Sequence, residues 1–176
     1  MPADPFEPGS LWGAIVRRTE AAQRSGHLQP IPTRLETLTD PDTGVRFQLR
    51  ITEAQDRKEA ERVHQDRRAA AGAPADPFAD PDPELWVGNL TDTHFGLLNK
   101  FPVVDHHLLL VTRAYRPQHE PLDADDCHAL ATALAEIAGL GFFNAGEAAG
   151  ASQGHKHLQL VPLPLAEDDQ GLPMAP

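Results

Sequence analysis

Cysteine is almost missing. Cys127 is the only one in 176 residues, which excludes an intrachain disulfide and any Cys-rich zinc knuckle and suits a reducing compartment. Long hydrophobic runs are missing too. No window approaches the roughly 18 apolar residues of a membrane span, and the N-terminus, Met1-Pro2-Ala3-Asp4-Pro5, has neither a basic segment nor a long apolar stretch. Positive charge is scarce. With 15 Lys and Arg against 26 Asp and Glu, a net charge of −11 and a pI near 5.1, no sequence-wide basic surface exists to neutralise nucleic-acid phosphates. Nucleic acid and membrane drop out as expected partners, and a cytoplasmic location is expected. A small anion remains admissible, because it needs only a locally positive pocket. The length admits one domain with a real core.

What is present is concentrated between Asn144 and Gln159. Small residues, including Gly146, Gly150, Ala151 and Ser152, let backbone N–H groups approach a ligand, as backbone nests do for phosphates. The run His155-Lys156-His157-Leu158-Gln159-Leu160-Val161 then alternates with the period of a half-buried strand. His155, His157 and Gln159 are expected on one face, and Leu158 and Leu160 on the other, in a core. Neutral imidazole, with an ordinary pKa of roughly 6.5, is a nucleophile that needs no activating base at neutral pH. A nucleophile beside an anion cradle points to phosphorus chemistry. Two other readings stay open. Histidines at i and i+2 could be half of a metal site, although the third residue of the row, Gln159, is a poor zinc ligand, or they could be core-edge residues without a chemical role.

The remaining chain supplies a scaffold. Residues 10–25 read as a helix with Ser10 as N-cap, Leu11, Trp12, Ile15 and Val16 on its apolar side, and Gly26 past its end. Residues 34–51 read as a hairpin turning at Asp40-Pro41-Asp42-Thr43-Gly44. Residues 53–71 are charged, and Gly72–Pro83 is rich in proline and so irregular, a candidate loop over the site. Three closely spaced strands follow, Leu85–Leu90, Phe95–Phe101 and His107–Thr112, which favours an antiparallel meander. Leu122–Ala138 reads as a helix with Asp123 as N-cap and a stripe of Cys127, Leu130, Leu134 and Ile137, ended by Gly139 and Gly141. Phe142 and Phe143 then open a strand leading into the glycine loop.

A second polar group, Asn99-Lys100-Phe101-Pro102 with His107 beyond it, has no obvious structural need for its polar members. Asn99 could donate and accept hydrogen bonds, and the Lys100 ammonium suits a polyphosphate or could simply snorkel at a strand edge.

The order Asn144, Gly146, Gly150, then His155-x-His157-x-Gln159, resembles the signature of the histidine-triad superfamily in the branch where Gln replaces the last histidine. Asn99, Pro102 and His107 match a second spacing of that superfamily, and Gly150-Ala-Ser-Gln-Gly-His-Lys-His-Leu-Gln159 is similar to the diadenosine tetraphosphate phosphorylases, or ATP adenylyltransferases. The resemblance is densest from about Asp76 to Pro164. It implies an α+β fold, a HIT-like antiparallel β-meander sheet with packed helices. It implies an extension over residues 1–71, a catalytic core over 72–164 and an acidic tail over 165–176. It also implies cleavage of a dinucleoside polyphosphate by inorganic phosphate into ATP and ADP. His157 would be the nucleophile, His155 would orient it, and Gln159 would bind a non-bridging oxygen. Asn99 would meet the ribose, while Lys100, Asn144, Gly150, Ala151, Ser152 and Gln153 would hold nucleotide and phosphate. No tightly bound cofactor and no protein-built metal site is implied, only Mg2+ arriving with the substrate. Members of that branch continue with a further C-terminal segment, so either a separate chain carries it as a partner or this is a minimal or degenerate version. The alternatives are another transferase or hydrolase of the superfamily, acting for example on a sugar 1-phosphate, and a non-catalytic or split nucleotide-binding protein.

Overall fold

The computed structural model describes residues 6–52 and 76–165, so the charged segment from Glu53 to Ala71 and the acidic tail lie outside the described residues. The first helix, α1, spans Leu11–Arg24. Its buried residues Leu11, Ile15, Thr19 and Ala22 fall on one stripe at helical spacing. Trp12 stands at the edge of that stripe, 38% exposed, with its ring edge-on to His106 at 5.1 Å. Ser10 occupies the N-cap position without a side-chain cap bond. The first-turn donor is satisfied from a distance instead: the Leu11 N–H donates to Glu136 Oε2 at 2.8 Å, which sets a carboxylate at the positive end of the helix.

Strands β1 (Thr33–Thr39) and β2 (Arg46–Thr52) form the expected hairpin, paired antiparallel from Thr33↔Thr52 to Thr39↔Arg46. Asp40 closes the turn, its carboxylate accepting from the Asp42 N–H and the Thr43 hydroxyl, each at 2.9 Å. The alternation of Phe47, Leu49 and Ile51 makes one face apolar, and among the described residues these side chains remain partly exposed.

The main sheet comprises β3 (Trp86–Asn89), β4 (His94–Leu98), β5 (Leu108–Thr112), β6 (Gly139–Phe142) and β7 (His157–Pro162). Its order is β3-β4-β5-β7-β6, and every neighbouring pair is antiparallel. The expected meander holds for β3, β4 and β5. The last strand then returns to the interior of the sheet, so β7 gains a hydrogen-bonding neighbour on each side. All five residues of β5 are buried, consistent with its place in the middle.

The second helix, α2, spans Ala124–Leu134 and begins with a capping box: Asp123 accepts from the Asp126 N–H, and Asp126 accepts from the Asp123 N–H. Its buried face corrects the expected stripe. Leu130 and Ile137 pack against the core as expected, but Cys127 is exposed and Leu134 is 37% exposed, and Asp126, Ala129 and Ala133 face inward. The helix is turned because Asp126 is needed inside, and the small Ala129 and Ala133 let it lie close to the sheet. Gly139 and Gly141 do not end the helix but belong to β6. A Cβ at Gly139 would lie 2.8 Å from the Val161 carbonyl oxygen, so glycine is required there, whereas one at Gly141 would lie 2.6 Å from Leu130 Cδ1 and would displace that side chain.

Asp126 is needed because of Lys156. Register pairs Leu108↔Leu160 and Leu110↔Leu158 put those four leucines on the sheet face toward α2, and alternation puts Lys156 with them. Lys156 is fully buried; its Nζ is 2.5 Å from Asp126 Oδ2 and donates to the Pro121 carbonyl at 2.7 Å. His94 Nε2 donates to Asp126 Oδ1 at 3.1 Å, and the Thr93 hydroxyl donates to His94 Nδ1 at 3.0 Å. Burial pushes the His94 pKa down against the opposing pull of Asp126, so the ring is neutral and single-tautomer. Removing one partner of a buried pair leaves the other uncompensated. Lys156→Met is therefore expected to destabilise the fold by roughly 3–5 kcal/mol in urea unfolding, with partial recovery in Lys156→Met/Asp126→Asn. Equal losses in the single and double variants would contradict this pairing.

Candidate active site

Because Lys156 takes the α2 side, His155 and His157 cannot. Pairing of Val111↔His157, Leu109↔Gln159 and Phe142↔Gln159 puts His157 and Gln159 on the opposite face, with Leu109, Val111 and Phe142. His155 lies just before the strand, bridged to Pro117. The structure thus brings together His155, His157 and Gln159 as one row. Both histidines are buried and Gln159 is half-buried.

The two rings are held differently. His155 is gripped from both sides, with Asp76 Oδ2 2.7 Å from Nδ1 and the Thr112 carbonyl 2.8 Å from Nε2. His157 has one ring partner among the described residues, the His155 carbonyl oxygen, 2.8 Å from Nδ1. A carbonyl can only accept, so Nδ1 carries the hydrogen and Nε2 presents a lone pair. Burial pushes the His157 pKa down; the bond to the His155 carbonyl opposes this, and the charge of His155 adds to it. Phe78 covers both rings edge-on, at 5.8 Å from His155 and 5.2 Å from His157. The arrangement is a neutral, oriented imidazole in a dry setting, which can attack an electrophilic phosphorus without first losing a proton.

Asn99 stands at the other end of the same face. Its Nδ2 lies 3.2 Å from His107 Nδ1, which makes that nitrogen an acceptor and leaves the hydrogen on Nε2. His107 Nε2 is buried and has no hydrogen-bond partner within ordinary geometry, although the Gln159 side chain adjoins it. Burial pushes the His107 pKa down to about 4; the Gln159 amide opposes this and the charge of His157 adds to it. Lys100 is not drawn into this group. It is half-buried, makes no hydrogen bond or ion pair with the row among the described residues, and its charge acts on Asp82.

The loop before β7 is bonded mainly to itself. A single 3-10 turn, Glu147–Ala149, lies between Gly146 and Gly150, both in left-handed conformations at φ 83° and 91°. The N–H groups of Gly150 and Ala151 donate to the Glu147 and Gly146 carbonyls at 2.9 and 3.1 Å. Ser152 is exposed and Gln153 half-buried, and their backbone N–H groups make no bond among the described residues. Those two amides, unlike those of Gly150 and Ala151, are not taken by the loop's own carbonyls.

Three residues of the site were not visible as such in the sequence: Asp76, Phe78 and Gln118. Asp76 and Phe78 come from the proline-rich segment, whose described part does lie over the row as expected. Gln118 is 2% exposed, sits in a connector after β5, and bonds the backbone of His157. No local pattern marks it, because its partners are 26 and 39 residues away.

An antiparallel α+β sheet that carries a His-x-His-x-Gln strand behind a glycine loop defines a domain of the histidine-triad type. The particular family is the Ap4A phosphorylase N-terminal domain, to which the chain belongs: residues 1–176 match it. Among curated proteins the chain is 34% identical over 158 residues to diadenosine 5',5'''-P1,P4-tetraphosphate phosphorylase 2 of Saccharomyces cerevisiae, covering 82% of this chain and 47% of that protein. It is 29% identical over 172 residues to protein APA1 of the same yeast, covering 89% of this chain and 50% of the relative. Crystal structures of yeast Ap4A phosphorylase Apa2 superpose with TM-scores of 0.72 for the complex with AMP and 0.71 for the complex with Ap4A, at 30% and 29% identity. They cover 92% and 93% of this chain and 52% and 53% of those chains. The chain spans about half the length of these relatives.

The depressed His107 pKa has a measurable consequence. Unfolded, His107 takes up a proton near pH 6.5, whereas folded it resists until about 4, so between these values the unfolded chain binds more protons. The stability from this group is full above about pH 6.5 and is lost as pH falls toward 4, on the order of 3 kcal/mol. His157 and His94 act in the same sense. In urea unfolding, His107→Gln should show a shallower loss of stability across this window than the unsubstituted protein. Parallel curves would mean that His107 does not carry the effect.

Proposed function

We propose that this chain catalyses, or supplies the nucleophilic half of, the phosphorolysis of diadenosine tetraphosphate to ATP and ADP through an adenylyl-histidine. The supporting observation is the fixed tautomer of His157, whose Nδ1–H is held by the His155 carbonyl while Nε2 is free. Nε2 attacks the α-phosphorus in line; the P–N bond forms as the bond to the bridging oxygen breaks, and ATP departs. The ring, still protonated on Nδ1, carries a positive charge that the His155 carbonyl oxygen stabilises. An oxygen of inorganic phosphate then attacks the same phosphorus, the P–N electron pair returns to Nε2, and ADP leaves. One difficult displacement becomes two easier ones.

Gln159 donates its amide to a non-bridging oxygen, and the Ser152 and Gln153 amides and side chains take the charge that spreads over the equatorial oxygens. Asn99 bonds a ribose hydroxyl. His155, pinned by Asp76 and Thr112, orients the nucleophile through its carbonyl. Asn144, Gly150 and Ala151 shape the cradle, and Lys100 lends positive charge at its border. The leaving groups, ATP and later the histidine, need no general acid, which agrees with Gln in place of a third histidine. Among the described residues the one carboxylate bonded to the row, Asp76, is engaged by His155, so a magnesium ion is best held by the substrate's own phosphates. The yeast relative is named for this substrate, and a crystal structure of Apa2 is described as a complex with Ap4A. Among the described residues no helix is long and apolar enough to cross a membrane, and we place the reaction in the cytoplasm.

The test is product analysis of diadenosine tetraphosphate incubated with the chain and magnesium, with and without phosphate. Equal ATP and ADP should form only with phosphate, and His157→Ala should reduce turnover by on the order of 10³-fold or more. AMP and ATP forming without phosphate would instead make the chain a hydrolase.

A further inference from the structure

The sheet is incomplete beside the nucleophile, and a side chain completes it. Strand β6 pairs with β7 from Gly139↔Pro162 to Phe142↔Gln159 and then departs into the glycine loop. Two residues further on, the ladder would set Asn144 opposite His157. On that side the N–H and C=O of His157 therefore have no strand to meet. Gln118 fills the gap: its Oε1 accepts from the His157 N–H at 2.7 Å, and its Nε2 donates to the His157 carbonyl at 3.0 Å. The same Nε2 donates to the Asn144 carbonyl at 2.8 Å. The amide thus uses its acceptor and both donor hydrogens. It is itself anchored, because the Gln118 N–H donates to the Gly154 carbonyl at 2.9 Å.

We propose that Gln118 is a positioning residue for His157. Its amide replaces a rung of the β-ladder and fixes the backbone from which the nucleophilic ring projects. The bond to Asn144 ties that backbone to the start of the glycine loop, so nucleophile and phosphate cradle keep one separation. A primary amide supplies the acceptor and the donors together. A carboxylate cannot donate to the two carbonyls, and an apolar side chain would leave the buried N–H and C=O of His157 unsatisfied.

The test compares Gln118→Met and Gln118→Glu with the unsubstituted protein and with Ile15→Val, a core truncation in α1 that serves as the destabilised control. The first readout is the imidazole tautomer of His157, followed by two-bond proton–nitrogen NMR, which needs no turnover and so does not depend on the proposed reaction. A single Nδ1–H tautomer is expected in the unsubstituted protein and in Ile15→Val, and a mixture in Gln118→Met. The second readout rests on the proposed reaction: kcat for Gln118→Met should fall about a hundredfold, with KM changed less than about threefold, as expected for a small displacement of a reacting group. In Gln118→Glu the ratio of its kcat to that of the unsubstituted protein should rise as pH falls, because a protonated carboxyl regains one donor. If the His157 ring keeps one tautomer in Gln118→Met, Gln118 is only a brace and the inference fails. It fails equally if kcat follows the fraction folded, as in Ile15→Val. If no form turns over, the chain does not catalyse the proposed reaction by itself, and the NMR readout alone decides the role of Gln118.

Discussion

The buried pair between Lys156 and Asp126 is the constraint from which the rest of the site follows. In a strand, neighbours point to opposite faces, so a lysine anchored under α2 obliges His155 and His157 to face the other way. Slipping the strand by one residue would drive both imidazoles into the leucine core and pull the ammonium from its carboxylate. Leu158 and Leu160 favour the same register by burial, but only the ion pair also specifies which helix residue lies beneath. That requirement rotates α2, puts Asp126 rather than Cys127 inside, and limits its neighbours to Ala129 and Ala133. The close approach also seats Leu130 against β6, 2.6 Å from where a Cβ on Gly141 would lie. A lysine flanked by the two histidines thus accounts for the composition of a helix some 30 residues earlier in the chain.

On the open side, the governing quantity is desolvation. Phe78 and the strand residues Val111 and Leu109 exclude water from His157, and the result is a ring that resists protonation. A depressed pKa lowers intrinsic basicity, so desolvation alone would not make a better nucleophile. In the proposed reaction what compensates is order: one tautomer, one ring orientation and a carbonyl beside the positive charge that would develop on attack. His107 repeats the same logic without the lone pair directed outward. Its Nδ1 is taken by Asn99, and its Nε2–H is left toward Gln159, so it presents no free lone pair to the row.

Much of this was legible in the sequence where the signal was local. Period-two alternation from His155 to Val161 located β7 and its faces, Asp40-Pro-Asp-Thr-Gly44 located the hairpin turn, and Asp123 announced the start of α2. Apolar periodicity placed Leu130 and Ile137 correctly but missed at Cys127, because the inward residue there is the charged Asp126. No hydropathy pattern ranks Asp126 above Cys127, since the reason lies in Lys156. Gly139 and Gly141 were read as helix terminators because glycine after a helical run usually is one. Here the contact with β7 and Leu130 accounts for them instead. Strand order was beyond reach for the same reason: close spacing implies a meander for β3, β4 and β5, but nothing local says that the last strand returns between β5 and β6.

The loop shows how the same composition can serve two purposes. Glycines at 146 and 150 suggested open amides for an anion, yet they let the chain curl so that the Gly150 and Ala151 amides meet carbonyls of the loop itself. Rigidity is bought there, and the donors left for a phosphate shift toward Ser152 and Gln153, nearer to the histidines. A rigid curl is useful only if its distance from His157 is fixed, and no strand fixes it, because β6 has already left the sheet. The buried amide of Gln118, bonded to Asn144 on one side and His157 on the other, is the one side chain among the described residues that spans this gap. Backbone irregularity at the glycine loop and a side chain acting as backbone at Gln118 are therefore two halves of one arrangement: the sheet opens beside His157, and the Gln118 amide bridges the opening.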